Sequence, residues 1–280
     1  MGHNSLRSTV LGIARESGAQ RVGVAWFAYE YRVGWSVNGE EWFHAASTIK
    51  VPVLLGVYAA IESGRLQQRS RVHVRNRFLS VATGAPYRVE AQRDANTAVH
   101  AAIGRTMKVS ELAHHMIVTS SNLATNLLVD IVGLDEIRKT LRALSLPGIE
   151  LLRGVEDEDA WRAGINNRVT ALGLVSALRL IEEGLAVSAE ASREMLDILH
   201  QQEFRSGIPA GLPDDARVAN KTGEMSTVAH DAGLVYLPHR EPYVLAILTE
   251  WETGAGARRR AIADISRAVF EFVTEGDADG

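Results

Sequence analysis

The sequence predicts an α+β fold: an antiparallel sheet flanked by N- and C-terminal helices, an inserted all-helical lobe, and a cleft where the two lobes join. Three observations predict it. Strand-like runs lie towards both ends of the chain while helical periodicity fills the middle, so the ends must meet in one sheet. A length of 280 residues suits one to two domains. A composition that is 46% apolar, with no cysteine, belongs to an ordinary globular protein that has no disulfide staples. The expected division is residues 1–45 with 204–280 as the α/β lobe and 46–203 as the helical lobe, together a single unit.

Residues 5–17 read as a short helix, followed by strands at 22–29 and 32–37 that flank a turn. A helix is expected from 47 to 62, another at 109–118, where apolar residues recur at helical spacing, and a third at 123–132 after a polar break. Residues 170–183 and 189–200 supply two more. The pattern then returns to strands at 218–221, 232–237 and 243–249, and an amphipathic helix at 258–273 closes the chain. Residues 77–108 are the least regular part, either a lid or an ordinary surface excursion. There is no internal repeat and no low-complexity segment.

Charge and hydropathy remove several classes of function. Thirty basic and 34 acidic side chains leave a net charge of -4, and no basic tract offers a counter-charge to a phosphate backbone, so no nucleic acid partner is expected. The longest apolar run, 51–61, is too short to span a bilayer. Residues 1–17 lack the basic and apolar regions of a secretory signal, so the chain as written is expected to be cytoplasmic, and periplasmic or secreted if a leader was removed. His114-His115 lacks the spacing of a helical zinc site, so neither metal nor other cofactor is expected.

Three motifs carry chemistry. In Ser47-Thr48-Ile49-Lys50, at the head of an apolar helix, a three-residue spacing puts a hydroxyl and an amine on one face. A serine hydroxyl is a poor nucleophile until a neighbouring base takes its proton, and a helix N-terminus favours the developing negative charge. Ser120-Ser121-Asn122 falls in the break between two helices, where it is either a plain N-cap or a pair of groups facing a cleft. Lys221-Thr222-Gly223 ends a strand; Lys and Thr can hold a carboxylate, and Gly allows close approach to the backbone.

In that order the three motifs resemble those of the β-lactamase and penicillin-binding-protein superfamily, and more closely its class A branch. Met116-Ile117-Val118-Thr119 before Ser120 and Ala124-Thr125-Asn126-Leu127-Leu128 after it agree, and the resemblance runs from about Trp35 to the final helix. It implies a serine hydrolase working through an acyl-enzyme on a small molecule, a β-lactam, D-amino-acid peptide or ester. Ser47 would be acylated, with Lys50 as its proton acceptor or relay. Ser120 would pass a proton to the leaving nitrogen, Lys221 would hold Ser120 and the substrate carboxylate, and Asn122 would bind the substrate's amide carbonyl. Thr222 would join the carboxylate contacts, and the backbone N–H groups of Ser47 and Glu224 would form the oxyanion hole.

The sequence also departs from the class A pattern. Ser121 stands where an aspartate with a structural role is usual, and the gap between the first two motifs is longer, the excess falling in 77–108. Pro52 removes a hydrogen bond from the expected helix. His230, nine residues after Lys221, occupies the place of an arginine that grips the substrate carboxylate; it is either a weaker, pH-dependent anchor or a strand histidine with a structural hydrogen bond. The Glu-x-x-Leu-Asn loop that supplies the deacylation base is incomplete. Spacing back from Thr170 brings Glu156 nearest to that role, yet Glu156 to Asp159 are four consecutive acids that read equally as a solvated face or a first helical turn. Three readings therefore stand: a class A-like β-lactamase, a penicillin-binding-type peptidase or esterase, and a β-lactam sensor that is acylated once without turnover.

Overall fold

A computed structural model describes residues 2–275. In chain order its main elements are α1 (His3–Ser17), β1 (Arg21–Ala28), β2 (Val33–Val37), α2 (Lys50–Glu62), α3 (Val109–Val118), α4 (Asn122–Val132), α5 (Leu134–Ala143), α6 (Ala171–Glu182), α7 (Ala189–His200), β3 (Arg217–Glu224), β4 (Val228–Tyr236), β5 (Tyr243–Glu250) and α8 (Arg258–Glu275). The chain divides into two compact units. The first gathers the chain up to Thr48, Val169–Arg179 and the chain from Phe204 onward; the second comprises Ile49–Arg168 and Leu180–Glu203.

In the first unit the two ends of the chain share one five-stranded sheet of order β3-β4-β5-β1-β2. The closing pair is antiparallel β1 and β5, in register from Arg21 opposite Glu250 to Ala28 opposite Tyr243. β4 and β5 are buried along nearly their whole length, so both of their faces are covered. Leu6, Val10 and Ala14 of α1 and Ile262, Ile265 and Val269 of α8 join Val24, Trp26, Leu245 and Ile247 of the sheet in one core. β3 and β4 are longer than their apolar runs suggest because ladder hydrogen bonds carry polar residues such as Asn220, His230 and Asp231 into the sheet.

The second unit is built round α2, whose residues Lys50–Tyr58 are all buried, as expected of a helix apolar on every side. Gly56 lets α5 approach it closely: a Cβ there would come within 2.6 Å of Ile137. Helix α5 was not among the sequence-predicted elements. The helix expected from residue 47 begins instead at Lys50, after a 3₁₀ turn over Ala46–Ile49. This accounts for Pro52, which falls in the first turn of α2, where a backbone N–H has no partner within the helix.

The irregular stretch 77–108 is an ordered excursion. An antiparallel ribbon, with Arg71 opposite Lys108 and His73 opposite Thr106, ties its base, and Phe78–Leu79 pairs with Pro86–Tyr87 within it. Val89, Asp94 and Val99 are buried, which anchors the excursion on the unit's core. Among the described residues no helix is long and apolar enough to cross a membrane, and no group of three or more His, Cys, Asp or Glu side chains could hold a metal ion.

Candidate active site

In the second unit, the fully buried side chain of Lys50 points its Nζ at the Ser120–Asn122 turn. Nζ donates to the Ser120 carbonyl at 2.6 Å, to Ser120 Oγ at 3.0 Å and to Asn122 Oδ1 at 2.7 Å. The turn that presents these acceptors is strained, since Ser120 has φ +57° without being glycine. Asn122 then passes the contact on, its Nδ2 donating to Glu156 Oε1 at 2.8 Å. An amide nitrogen carries two hydrogens, so this bond leaves the second for another acceptor.

The four consecutive acids have four different surroundings. Glu156, at φ +60°, is turned towards Asn122 and accepts the Glu90 N–H at 3.0 Å through its other oxygen. Asp157 is buried, caps the short helix Glu158–Arg162 through the Ala160 N–H and accepts the Val81 N–H at 2.9 Å. Glu158 pairs with Arg93 and Arg162, and Asp159 with Arg162, on the surface. The loop holding Glu156 is fastened to α4 by Asn126, whose amide donates to the Val155 carbonyl at 2.9 Å and accepts the Val155 N–H at 2.8 Å. Arg153 and Asn167 close the loop's base: the guanidinium donates to the Ile165 carbonyl, and Asn167 Oδ1 accepts the Leu152 and Arg153 N–H groups.

Sequence reasoning missed two residues of this half. Asn126 lies four residues after Asn122, hence on the same face of α4, and that periodicity was the available signal. Asp94 had none. Its buried carboxylate accepts Ser121 Oγ–H at 2.9 Å and the N–H groups of Asn122 and Leu123 at 3.0 and 3.1 Å, while Ser121 Oγ itself accepts the Ala124 N–H.

In the first unit, Ser47 lies half-buried on the 3₁₀ turn after Ala46, another non-glycine residue at positive φ, +43°. Strand β3 passes directly against this turn. A Cβ on Gly223 would lie 3.1 Å from the backbone nitrogens of both Ser47 and Thr48, which is why the third motif ends in glycine. The next residue, Glu224, turns its side chain to Arg258 and Arg259 of α8 and so has only its backbone to offer on the other side. Thr222 is partly exposed on β3, the edge strand. Lys221 is fully buried, donates to the Thr222 carbonyl at 2.9 Å, and burial draws its ammonium down to about 7, opposed by the charge of Asp231.

His230 is also inside the sheet and buried. Nε2 lies 2.8 Å from the His44 carbonyl, and Nδ1 lies 2.8 Å from the Ala229 carbonyl and 3.1 Å from the Thr249 N–H. Burial pushes the ring down to about 4, so it carries no charge near neutrality. Its bond to His44 braces the segment that leads into Ser47.

A sequence profile of the family described as the Beta-lactamase enzyme family matches residues 6–273. The chain is 24% identical over 275 residues to a β-lactamase of Rhodobacter capsulatus, an alignment covering 97% of this chain and 89% of that one. Among solved structures it superposes on a β-lactamase from Sphaerobacter thermophilus DSM 20745 with a TM-score of 0.81 at 26% identity, over 98% of both chains. It superposes on PBP-A with a TM-score of 0.83 at 25% identity, over 97% of this chain and 96% of that one. A match running from the first helix to the last, on a fold shared over nearly the whole length, leads to one conclusion: the chain is a hydrolytic enzyme belonging to the β-lactamase enzyme family.

Proposed function

We propose that this enzyme is a class A-like β-lactamase that turns over, using Ser47 as the acylated nucleophile and Glu156 as the base that releases the product. The observation that carries the reading is the unbroken run of hydrogen bonds from Lys50 through Asn122 to Glu156, at 2.7 and 2.8 Å. In acylation Ser47 Oγ attacks the β-lactam carbonyl carbon as Lys50, in its neutral amine form, accepts the proton and relays it to Ser120 Oγ, 3.0 Å away. The C–N bond breaks, and Ser120 passes a proton to the departing nitrogen. The backbone N–H groups of Ser47 and Glu224 hold the oxyanion, a donor pair of which each member is worth ~10²–10³-fold in rate. Asn122 binds the substrate's amide carbonyl, and Lys221 and Thr222 face its carboxylate. In deacylation Glu156 takes a proton from water as the water oxygen adds to the ester carbonyl, and the Ser47 alkoxide leaves and takes up the proton that Glu156 gives back.

Intact-mass spectrometry after incubation with a penicillin tests the first half. An adduct is expected in the parent protein and not in Ser47→Ala; no adduct with several β-lactams and activated esters would overturn the enzymatic reading. Chromogenic cephalosporin kinetics test the second half. Sustained turnover supports a β-lactamase, a slow leak with ester hydrolysis marks a penicillin-binding-type peptidase or esterase, and a single stoichiometric burst marks a sensor.

A further inference from the structure

The stretch between the first two motifs ends in a carboxylate that the mechanism above does not use. Asp94 follows the 3₁₀ turn Ala91–Arg93 and its side chain is completely withdrawn from solvent. Its two oxygens take one hydroxyl and two backbone N–H groups from the first residues of α4, all within 3.1 Å. With Ser121 accepting the Ala124 N–H, the N–H groups of Asn122, Leu123 and Ala124 at the head of the helix are all satisfied. His100 Nε2, from the same excursion, lies 3.2 Å from Asp94 Oδ2, the oxygen that also takes Ser121 and Leu123. The peptide clamped in this way is the one whose carbonyl, hydroxyl and amide receive Lys50.

We propose that Asp94 is a positioning residue of the active site, a remote carboxylate lent by the 77–108 excursion that fixes the Ser120–Asn122 turn against Lys50. The inference rests on the reading of Ser47, Lys50 and Ser120 as the acylation machinery. Asp94 touches no reacting atom. It acts by holding Ser120 in its positive-φ conformation and by aiming the Asn122 side chain between Lys50 and Glu156. A group displaced by a fraction of an ångström from its reacting partner loses much of the advantage of being held there. Capping chemistry supplies a rescue. A carboxylate placed at position 121 itself reaches the N–H groups of Leu123 and Ala124, so the charge at 94 becomes dispensable.

The test compares Asp94→Asn with the double variant Asp94→Asn/Ser121→Asp, reading the acylation rate from the pre-steady-state burst of a chromogenic cephalosporin. Asp94→Asn should acylate at least about tenfold more slowly at a temperature where it is fully folded, and the double variant should recover most of the loss. Gly56→Ala, which crowds α2 against Ile137 six residues beyond Lys50, controls for destabilisation and should acylate at the parent rate despite a lower melting temperature. Acylation by Asp94→Asn within twofold of the parent, or a double variant as slow as the single one, overturns the proposal. Amide hydrogen exchange at Asn122 and Leu123 gives a reading independent of catalysis. Exchange at both should quicken in Asp94→Asn and slow again at Leu123 in the double variant, and unchanged exchange counts against the proposal. A parent protein that no β-lactam acylates defeats the functional reading instead, and the exchange data then decide the clamp alone.

Discussion

Replacing Glu156 by glutamine removes the proposed base while leaving a side chain of nearly the same shape. The carboxylate accepts two bonds, from Asn122 Nδ2 at 2.8 Å and from the Glu90 N–H at 3.0 Å. A glutamine has one acceptor oxygen and one NH2 group, so it keeps one of these bonds and sets a donor against a donor in the other. The local cost is about 1–3 kcal/mol, reduced by the partial exposure of the site. That cost bears equally on both halves of the reaction. Loss of the base bears on deacylation alone and is worth ~10²–10⁴-fold, about 3–5 kcal/mol in the barrier. Rapid-quench mass spectrometry with a penicillin should therefore show Glu156→Gln acylated within a few-fold of the parent rate and the adduct persisting at least a hundred times longer. Glu158→Gln is the matched control. Glu158 lies two residues away in surface ion pairs with Arg93 and Arg162, pairs worth ~0–1 kcal/mol, and the variant should clear its adduct normally. If Glu156→Gln deacylates as fast as the parent, the hydrogen-bond run from Lys50 has been misassigned and the base must be sought elsewhere.

Gly223→Ala should cut acylation by about 10–100-fold with a modest loss of stability, because the new Cβ meets the Ser47 and Thr48 nitrogens at 3.1 Å and pushes β3 away from the turn; an unchanged burst rate would refute this. Asp157→Ala should destabilise by about 2–4 kcal/mol in urea denaturation, since it removes an N-cap and leaves the Val81 N–H without its carboxylate acceptor. His230 sets an acid limit on stability. Its ring is held down to about 4 in the folded protein against an ordinary value of 6.5, so between those values the unfolded chain binds the extra proton. Its contribution is complete above pH 6.5 and falls by about 3 kcal/mol as pH drops to 4; the ring should titrate below pH 5 by NMR, and His230→Gln should flatten that part of the stability curve.

What the sequence by itself determined is the part of this protein written in local spacing. Apolar periodicity located α1, α3, α4, α6, α7 and α8 to within a few residues, and strand runs at both ends predicted one sheet, realised in the β1–β5 pairing. The three motifs were legible because each is a short run whose chemistry depends on residues two or three apart. Its limits were also local. Helix α5 was missed, and the helix expected from Ser47 starts three residues later, because backbone geometry at a helix entrance depends on what the preceding turn packs against.

The tertiary structure alone decided which polar residues share an environment, since that depends on contacts between positions far apart in the chain. Four adjacent acids are indistinguishable in the sequence, yet one meets Asn122, one caps a helix inside the protein and two pair with arginines on the surface. The sequence leaves His230 open as an anchor or a brace, and only the fold buries its ring and sets it against the His44 carbonyl. Ser121 reads as a loss of charge within the second motif, and only folding returns a carboxylate there, from Asp94, 27 positions away. A buried hydrogen-bonding group must find a partner, and the fold rather than the neighbouring sequence supplies it.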